Sequence, residues 1–181
     1  MLRVDVADSE RLLRLCALYG VLYGERLLGN DYATQNCSIA RALEVVGERW
    51  TLLIVRELLR KPRRFSELER RLSMSKNILS DRLTKLARLR IVASTTIDGS
   101  RGWKTYRLTE KGVALFPVIN ALMAWGDAYY APDGPPVILL HTCGHRAGHR
   151  VICEGCGEPL DPRAVHVTAG PSWKLPESDL P

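Results

Sequence analysis

Residues 75–89 carry apolar and polar side chains at the spacing of a helix. At 100° per residue Leu79, Leu83, Leu86 and Ala87 share one face, and Asn77, Ser80, Asp81, Thr84 and Arg88 share the opposite arc. Ser75 stands as an N-cap, with Lys76 at the N-terminal end. Upstream, Ser38 starts a helix lined by Ile39, Leu43 and Val46, which Gly47 ends or bends. Residues 50–59 are so heavily apolar that they predict a buried helix, stopped by Lys61-Pro62. Residues 63–65 can form a short strand. Ser66 followed by Glu69 has the capping-box pattern, and predicts a helix to about Leu72. Ser73-Met74-Ser75 is then the turn between two helices.

Beyond residue 89 the period changes. Residues 92–97 are rich in β-branched side chains, Asp98-Gly99-Ser100 signals a turn, and residues 103–108 alternate as a returning strand. Thr109 caps a long helix over about residues 110–130, with Pro117 as a kink or break. Its stripe of Val113, Phe116, Ile119, Ala121, Met123 and Trp125 is wide enough for a partner helix as well as core; the partner helix is the favoured reading and core alone the alternative. Asp133-Gly134-Pro135-Pro136 reads as a linker, residues 137–140 as a short apolar strand, and residues 170–181 as a loose tail. Residues 1–34 form an extension. Leu12, Leu15, Tyr19, Leu22 and Tyr23 recur there at helical spacing, weakened by Gly20, Gly24 and Gly29. Docking on the domain, joining a dimer, or an artefact of start-site choice all fit it.

The predicted fold is mainly α with a small β-hairpin wing (α+β). It is a winged helix-turn-helix over residues 35–131, followed by a small β-rich, zinc-ribbon-like appendage over residues 132–169.

Charge sharpens this picture. The 181-residue chain has a net charge of +6. Residues 61–90 alone hold ten Lys/Arg against three acids, so the remainder is nearly neutral. A local basic cluster around an amphipathic helix is the footprint of a nucleic-acid surface; a merely solvated basic face is the bland alternative. The arc of α-helical residues 77–88 would offer short hydrogen-bonding side chains to base edges. The helix start, through Ser75 and Lys76, can approach phosphate. Arg63, Arg64 and Lys85 belong to the same basic surround. Ser100, Arg101 and Lys104 on the wing are placed for phosphates or a minor groove. The expected partner is double-stranded DNA. No apolar run spans a membrane, and the reading is cytoplasmic. Walker, Gly-x-Ser-x-Gly and dinucleotide patterns are lacking, so no enzyme is expected.

In a reducing compartment the five cysteines are thiols or metal ligands. Cys153-Glu154-Gly155-Cys156-Gly157 is a Cys-x-x-Cys-Gly knuckle, and Cys143 lies near His141, His145 and His149. Three thiolates and one imidazole make a closed tetrahedral zinc site. Cys143, His145, Cys153 and Cys156 form the preferred set, holding structural Zn2+ as a staple for an appendage too small for much core. A metal-free hairpin and a redox pair are the other readings.

Five blocks in order carry a resemblance: Cys37-Ser38-Ile39-Ala40-Arg41-Ala42-Leu43, Gly47-Glu48-Arg49-Trp50-Thr51-Leu52-Leu53-Ile54, Arg63-Arg64-Phe65-Ser66-Glu67-Leu68, Leu79-Ser80-Asp81-Arg82-Leu83 and Tyr106-Arg107-Leu108-Thr109-Glu110-Lys111-Gly112. Over roughly residues 35–130 the chain resembles the HxlR-type winged helix-turn-helix transcriptional regulators, relatives of the MarR regulators. The resemblance implies a homodimer, joined through its N-terminal and final helices, that binds an inverted-repeat operator and represses or activates a neighbouring gene. Some members sense electrophiles or oxidants through a Cys ahead of the first helix, where Cys37 stands; a small residue packed at a helix start is the alternative. Ser100-Arg101-Gly102-Trp103 replaces the Pro-rich wing tip common in the family. A protein-interaction module with only non-specific DNA binding is the alternative function.

Overall fold

A computed structural model describes residues 32, 36–96 and 103–173. Its elements run α1 (Ser38–Val46), α2 (Thr51–Arg60), β1 (Arg63–Arg64), α3 (Phe65–Leu72), α4 (Lys76–Arg88), β2 (Val92–Thr96), β3 (Lys104–Leu108), α5 (Glu110–Val113) and α6 (Phe116–Tyr130), with a 3-10 turn at Pro162–Ala164. The chain divides into two compact units, residues 45–152 and residues 1–44 with 153–181. The division falls inside the segment expected to be one appendage. The helical expectation for the N-terminal extension lies outside the described residues.

In the unit of residues 45–152, α2 is the buried helix its composition predicts, with Ile54, Val55 and Leu58 in the core. Leu68 and Leu72 of α3, Met74 of the turn, and Leu79, Leu83 and Leu86 of α4 pack into the same cluster, closed by Ile91, Val92 and Leu108. Interiors of this kind are packed densely enough to fix the relative placement of their helices. Ala87, expected on the buried face of α4, is exposed. The sheet is antiparallel with order β1-β3-β2, pairing Arg64 with Thr105 and Ser94 with Tyr106.

Three local expectations shift. The capping box of α3 sits two residues earlier than Ser66 and Glu69: Arg64 is the N-cap, and its backbone N–H donates to Glu67 at 2.8 Å. That bond holds the Glu67 carboxyl below its usual range. The cause of the shift is β1, which ends at Arg64 and hands the chain directly to the helix. The long helix breaks into α5 and α6. Thr109 caps α5, accepting from Gly112 N at 3.2 Å, and Pro117 lies in the first turn of α6, where its missing N–H is not needed. Residues 137–140 make no strand; only Leu140 forms an isolated bridge, with Arg146.

In the other unit, Asn36 donates to the Ser172 carbonyl at 2.9 Å and Arg41 donates to Asn36 at 2.9 Å. The apolar stripe expected on α1 does not face a core: Ile39 and Leu43 are exposed, and Ala40 is the buried residue. No helix among the described residues is long and apolar enough to cross a membrane.

Candidate nucleic-acid interface

The sequence Leu-x3-Leu-x2-Leu on α4 decides which way that helix points. With Leu79, Leu83 and Leu86 each buried to 3% exposure or less, the opposite arc must face solvent. Asn77, Ser80, Asp81, Thr84 and Arg88 are all exposed, as is Lys76 at the start. Ser75 is the N-cap and accepts from Ile78 N at 3.4 Å. This spends the serine on closing the helix, while Lys76 remains outward. Ser73 before the turn and Arg90 after α4 take left-handed backbone, with φ of 50° and 57°. The tight turn and sharp exit leave α4 projecting between them.

Beside α4 lies the base of the wing. Arg64 on β1 is exposed, and its guanidinium sits 5.1 Å from the centre of the exposed Trp103 ring. Such stacking pre-orders an arginine while leaving its donors free. Lys104 is exposed on β3. Ser100 and Arg101, expected at the tip, lie outside the described residues. Trp103 escaped the sequence reading as a site residue because its role comes from β1 pairing with β3, a contact between distant segments.

Two expected phosphate contacts need correction. Arg63 is only 6% exposed. Its Nε donates to the Glu57 carbonyl at 3.1 Å, and its Nη2 is 3.4 Å from the Glu57 carboxylate. Arg56 and Arg71 meet the same carboxylate from the exposed side. Burial pushes the Glu57 carboxyl up, but the hydrogen bonds and charges of Arg71 and Arg56 outweigh it and hold it below the usual range. Arg63 is therefore a core ion-pair residue. Lys85 is likewise taken: its Nζ donates to Glu48 at 2.9 Å.

Cys37 is half-buried immediately before α1, and its carbonyl accepts from Arg41 N at 3.1 Å. Cys143 lies with its sulfur 3.1 Å from Nδ1 of His141, so the neighbouring imidazole is His141, where His145 was expected. At the knuckle, the backbone N–H groups of Cys156 and Gly155, with the Cys156 thiol, lower the Cys153 thiol from its ordinary range. Gly157 takes φ of +77°, and its N–H donates to the Cys153 carbonyl at 2.8 Å. Among the described residues no group of three or more His, Cys, Asp or Glu side chains stands ready to hold a metal ion.

Comparison with known proteins agrees with this architecture. The profile of the HxlR-like helix-turn-helix family matches residues 45–133. The HTH-type transcriptional regulator MT3179 of Mycobacterium tuberculosis is 46% identical over 139 residues, covering 76% of this chain and 88% of that protein. YodB, an HTH-type transcriptional regulator of Bacillus subtilis, is 35% identical over 92 residues, covering 50% of this chain and 82% of that one. Among solved structures, PA1607, described as a candidate transcription factor, superimposes with a TM-score of 0.68 at 36% identity, covering 75% of this chain and 96% of its own. The chain belongs to the HxlR-like helix-turn-helix family, the family of these transcriptional regulators.

Proposed function

We propose that the chain is a sequence-specific DNA-binding repressor that acts as a homodimer on an inverted-repeat operator. The observation that carries this is the solvent-facing arc Asn77, Ser80, Asp81, Thr84 and Arg88, presented by a helix whose other face is locked into the core. Asn77, Ser80, Asp81 and Thr84 are short, and with Arg88 the arc carries the donors and acceptors that distinguish base pairs in a major groove. Arg64, Lys76 and Lys104 flank them and supply charge that orients the duplex without reading it. Support for dimerisation comes from α6, which exposes Phe116, Val118, Leu122, Trp125, Tyr129 and Tyr130. So much apolar surface on one helix calls for a cover, and a second copy supplies one with the two-fold symmetry an inverted repeat requires.

The test is selection of duplexes from a randomised pool by the full chain. The expected outcome is an inverted repeat whose preferred bases change with Ser80→Ala or Thr84→Ala, while Arg64→Ala weakens binding to every duplex alike. A pool that shows no enrichment at moderate salt would leave only a protein-interaction module with charge-driven DNA binding, and would refute the proposal.

Two subsidiary elements belong to it. Cys37, at the start of α1, is proposed as the entry point of an electrophile or oxidant signal, since helix starts promote thiolate reactivity. Zinc is proposed as the ion held by the tail thiols, on ligand chemistry alone. Metal binding and local folding are coupled, so the ligands need not be assembled before the ion arrives.

A further inference from the structure

The turn before α2 places one carboxylate against the flank of α4. Oε1 of Glu48 accepts from Lys85 Nζ at 2.9 Å, and Oε2 pairs with the Arg82 guanidinium. The Glu48 backbone carbonyl accepts from Thr51 N, at the first residue of α2, at 3.0 Å. One residue therefore ties the start of the buried helix to α4. Arg82 and Lys85 are three apart in sequence and so are neighbours on the helix surface. At 100° per residue they lie roughly 80° to 140° around from Asn77, off the outward arc and towards Glu48.

The three side chains are only 28–33% exposed, so this ion triad is shielded on one side and less screened than a free surface pair. It also changes the charge available to a duplex. Of the ten cations in residues 61–90, Arg63 and Arg71 are held by Glu57, and Arg82 and Lys85 by Glu48. A basic cluster that looks uniformly sticky in sequence is partly neutralised in the fold, and on the very helix proposed to read bases.

We propose that Glu48 is a positioning residue for DNA reading. It fixes α4 against the start of α2 and withholds Arg82 and Lys85 from phosphates, so that the arc's base contacts weigh more in binding than indiscriminate charge. This rests on the assignment of α4 as the reading helix.

The experiment compares the native chain, Glu48→Gln, the double variant Arg82→Gln/Lys85→Gln, and the triple variant. Each is titrated across a salt series against a random-sequence duplex and against the best duplex from the selection. Glu48→Gln is expected to steepen the dependence of log affinity on log salt by up to about two, since each added phosphate contact contributes roughly 0.9. Random-sequence binding should then rise more than binding to the selected duplex, and the ratio between them fall. The double variant, with Glu48 in place, should keep the native slope, and the triple variant should return to it.

A native slope in folded Glu48→Gln would overturn the proposal. So would a double variant whose slope drops by about two, because its cations would already be on phosphates. That second arm stands even if Glu48→Gln fails to fold. A native chain that binds no duplex at any salt would instead remove the reading assignment itself, and this inference with it.

Discussion

Gly112, just after the wing, is a glycine where an added Cβ would overlap backbone. A Cβ built on it would lie 2.3 Å from the Ile91 carbonyl oxygen and 3.0 Å from a Leu108 methyl. Its backbone φ is not in the left-handed region, so any penalty at this position is steric. The obstructing atom is backbone, and it is already engaged: Ile91 O accepts from Thr109 N at 3.0 Å and from Thr109 Oγ1 at 3.2 Å. Relief of the overlap in Gly112→Ala requires α5 to move off the Ile91 carbonyl, loosening these bonds. Overpacking costs about 1–3 kcal/mol, and each weakened hydrogen bond adds about 1 kcal/mol. Alanine's better helix propensity returns about 1 kcal/mol. The net expectation is a loss of roughly 2–4 kcal/mol. Urea unfolding at one fixed protein concentration measures it, since the proposed dimerisation would make apparent stability concentration-dependent. An unchanged or raised midpoint in Gly112→Ala would refute the reasoning, because a backbone clash cannot be absorbed by a flexible side chain.

Three further outcomes follow from other features. Glu57, with its carboxyl held below the ordinary range, contributes stability that is present above the unfolded-state value and lost as pH falls through the folded-state one. The native chain should therefore lose more stability than Glu57→Gln between neutral and acid pH, and at neutral pH Glu57→Gln, which leaves Arg63 buried without its counter-charge, should cost roughly 3–5 kcal/mol. Both are read by denaturant melts across pH. Leu122→Glu or Trp125→Glu on the exposed face of α6 should shift sedimentation from dimer towards monomer without lowering the helix signal in circular dichroism. Elemental analysis of the purified chain should find zinc in stoichiometric amount, and Cys153→Ser should lose it; metal-free native protein would set the zinc proposal aside.

What could be read from sequence was mostly what repeats locally. The leucine spacing of α4, the Ser75 cap, the β-branched run of β2 and the Thr109 cap are patterns within one element, and each is where the sequence placed it. Errors arose where a distant segment decides. Arg63 looked like one more surface cation, because the carboxylate that buries it belongs to α2. Lys85 is neutralised by a residue 37 positions away. The α3 capping box moved because β1, paired with the distant β3, ends at Arg64, one residue earlier than the expected strand, so the helix starts at Phe65. Ile39 and Leu43 share one face of α1 by periodicity, which reports that a face is apolar but not what covers it, and both are exposed. The outward orientation of the polar arc on α4 was legible because it follows from the opposite face being buried, the one inference periodicity supports strongly.

That arc has an evolutionary consequence. The leucines on one side of α4 pack the core, and the exposed polar side chains on the other are those proposed to read bases. Substitutions at exposed positions away from caps and ion pairs change stability by only about half a kcal/mol. Operator preference can therefore drift at Asn77, Ser80 or Thr84 while the scaffold stays intact, letting duplicated copies of such a gene acquire new targets without first having to survive a folding defect.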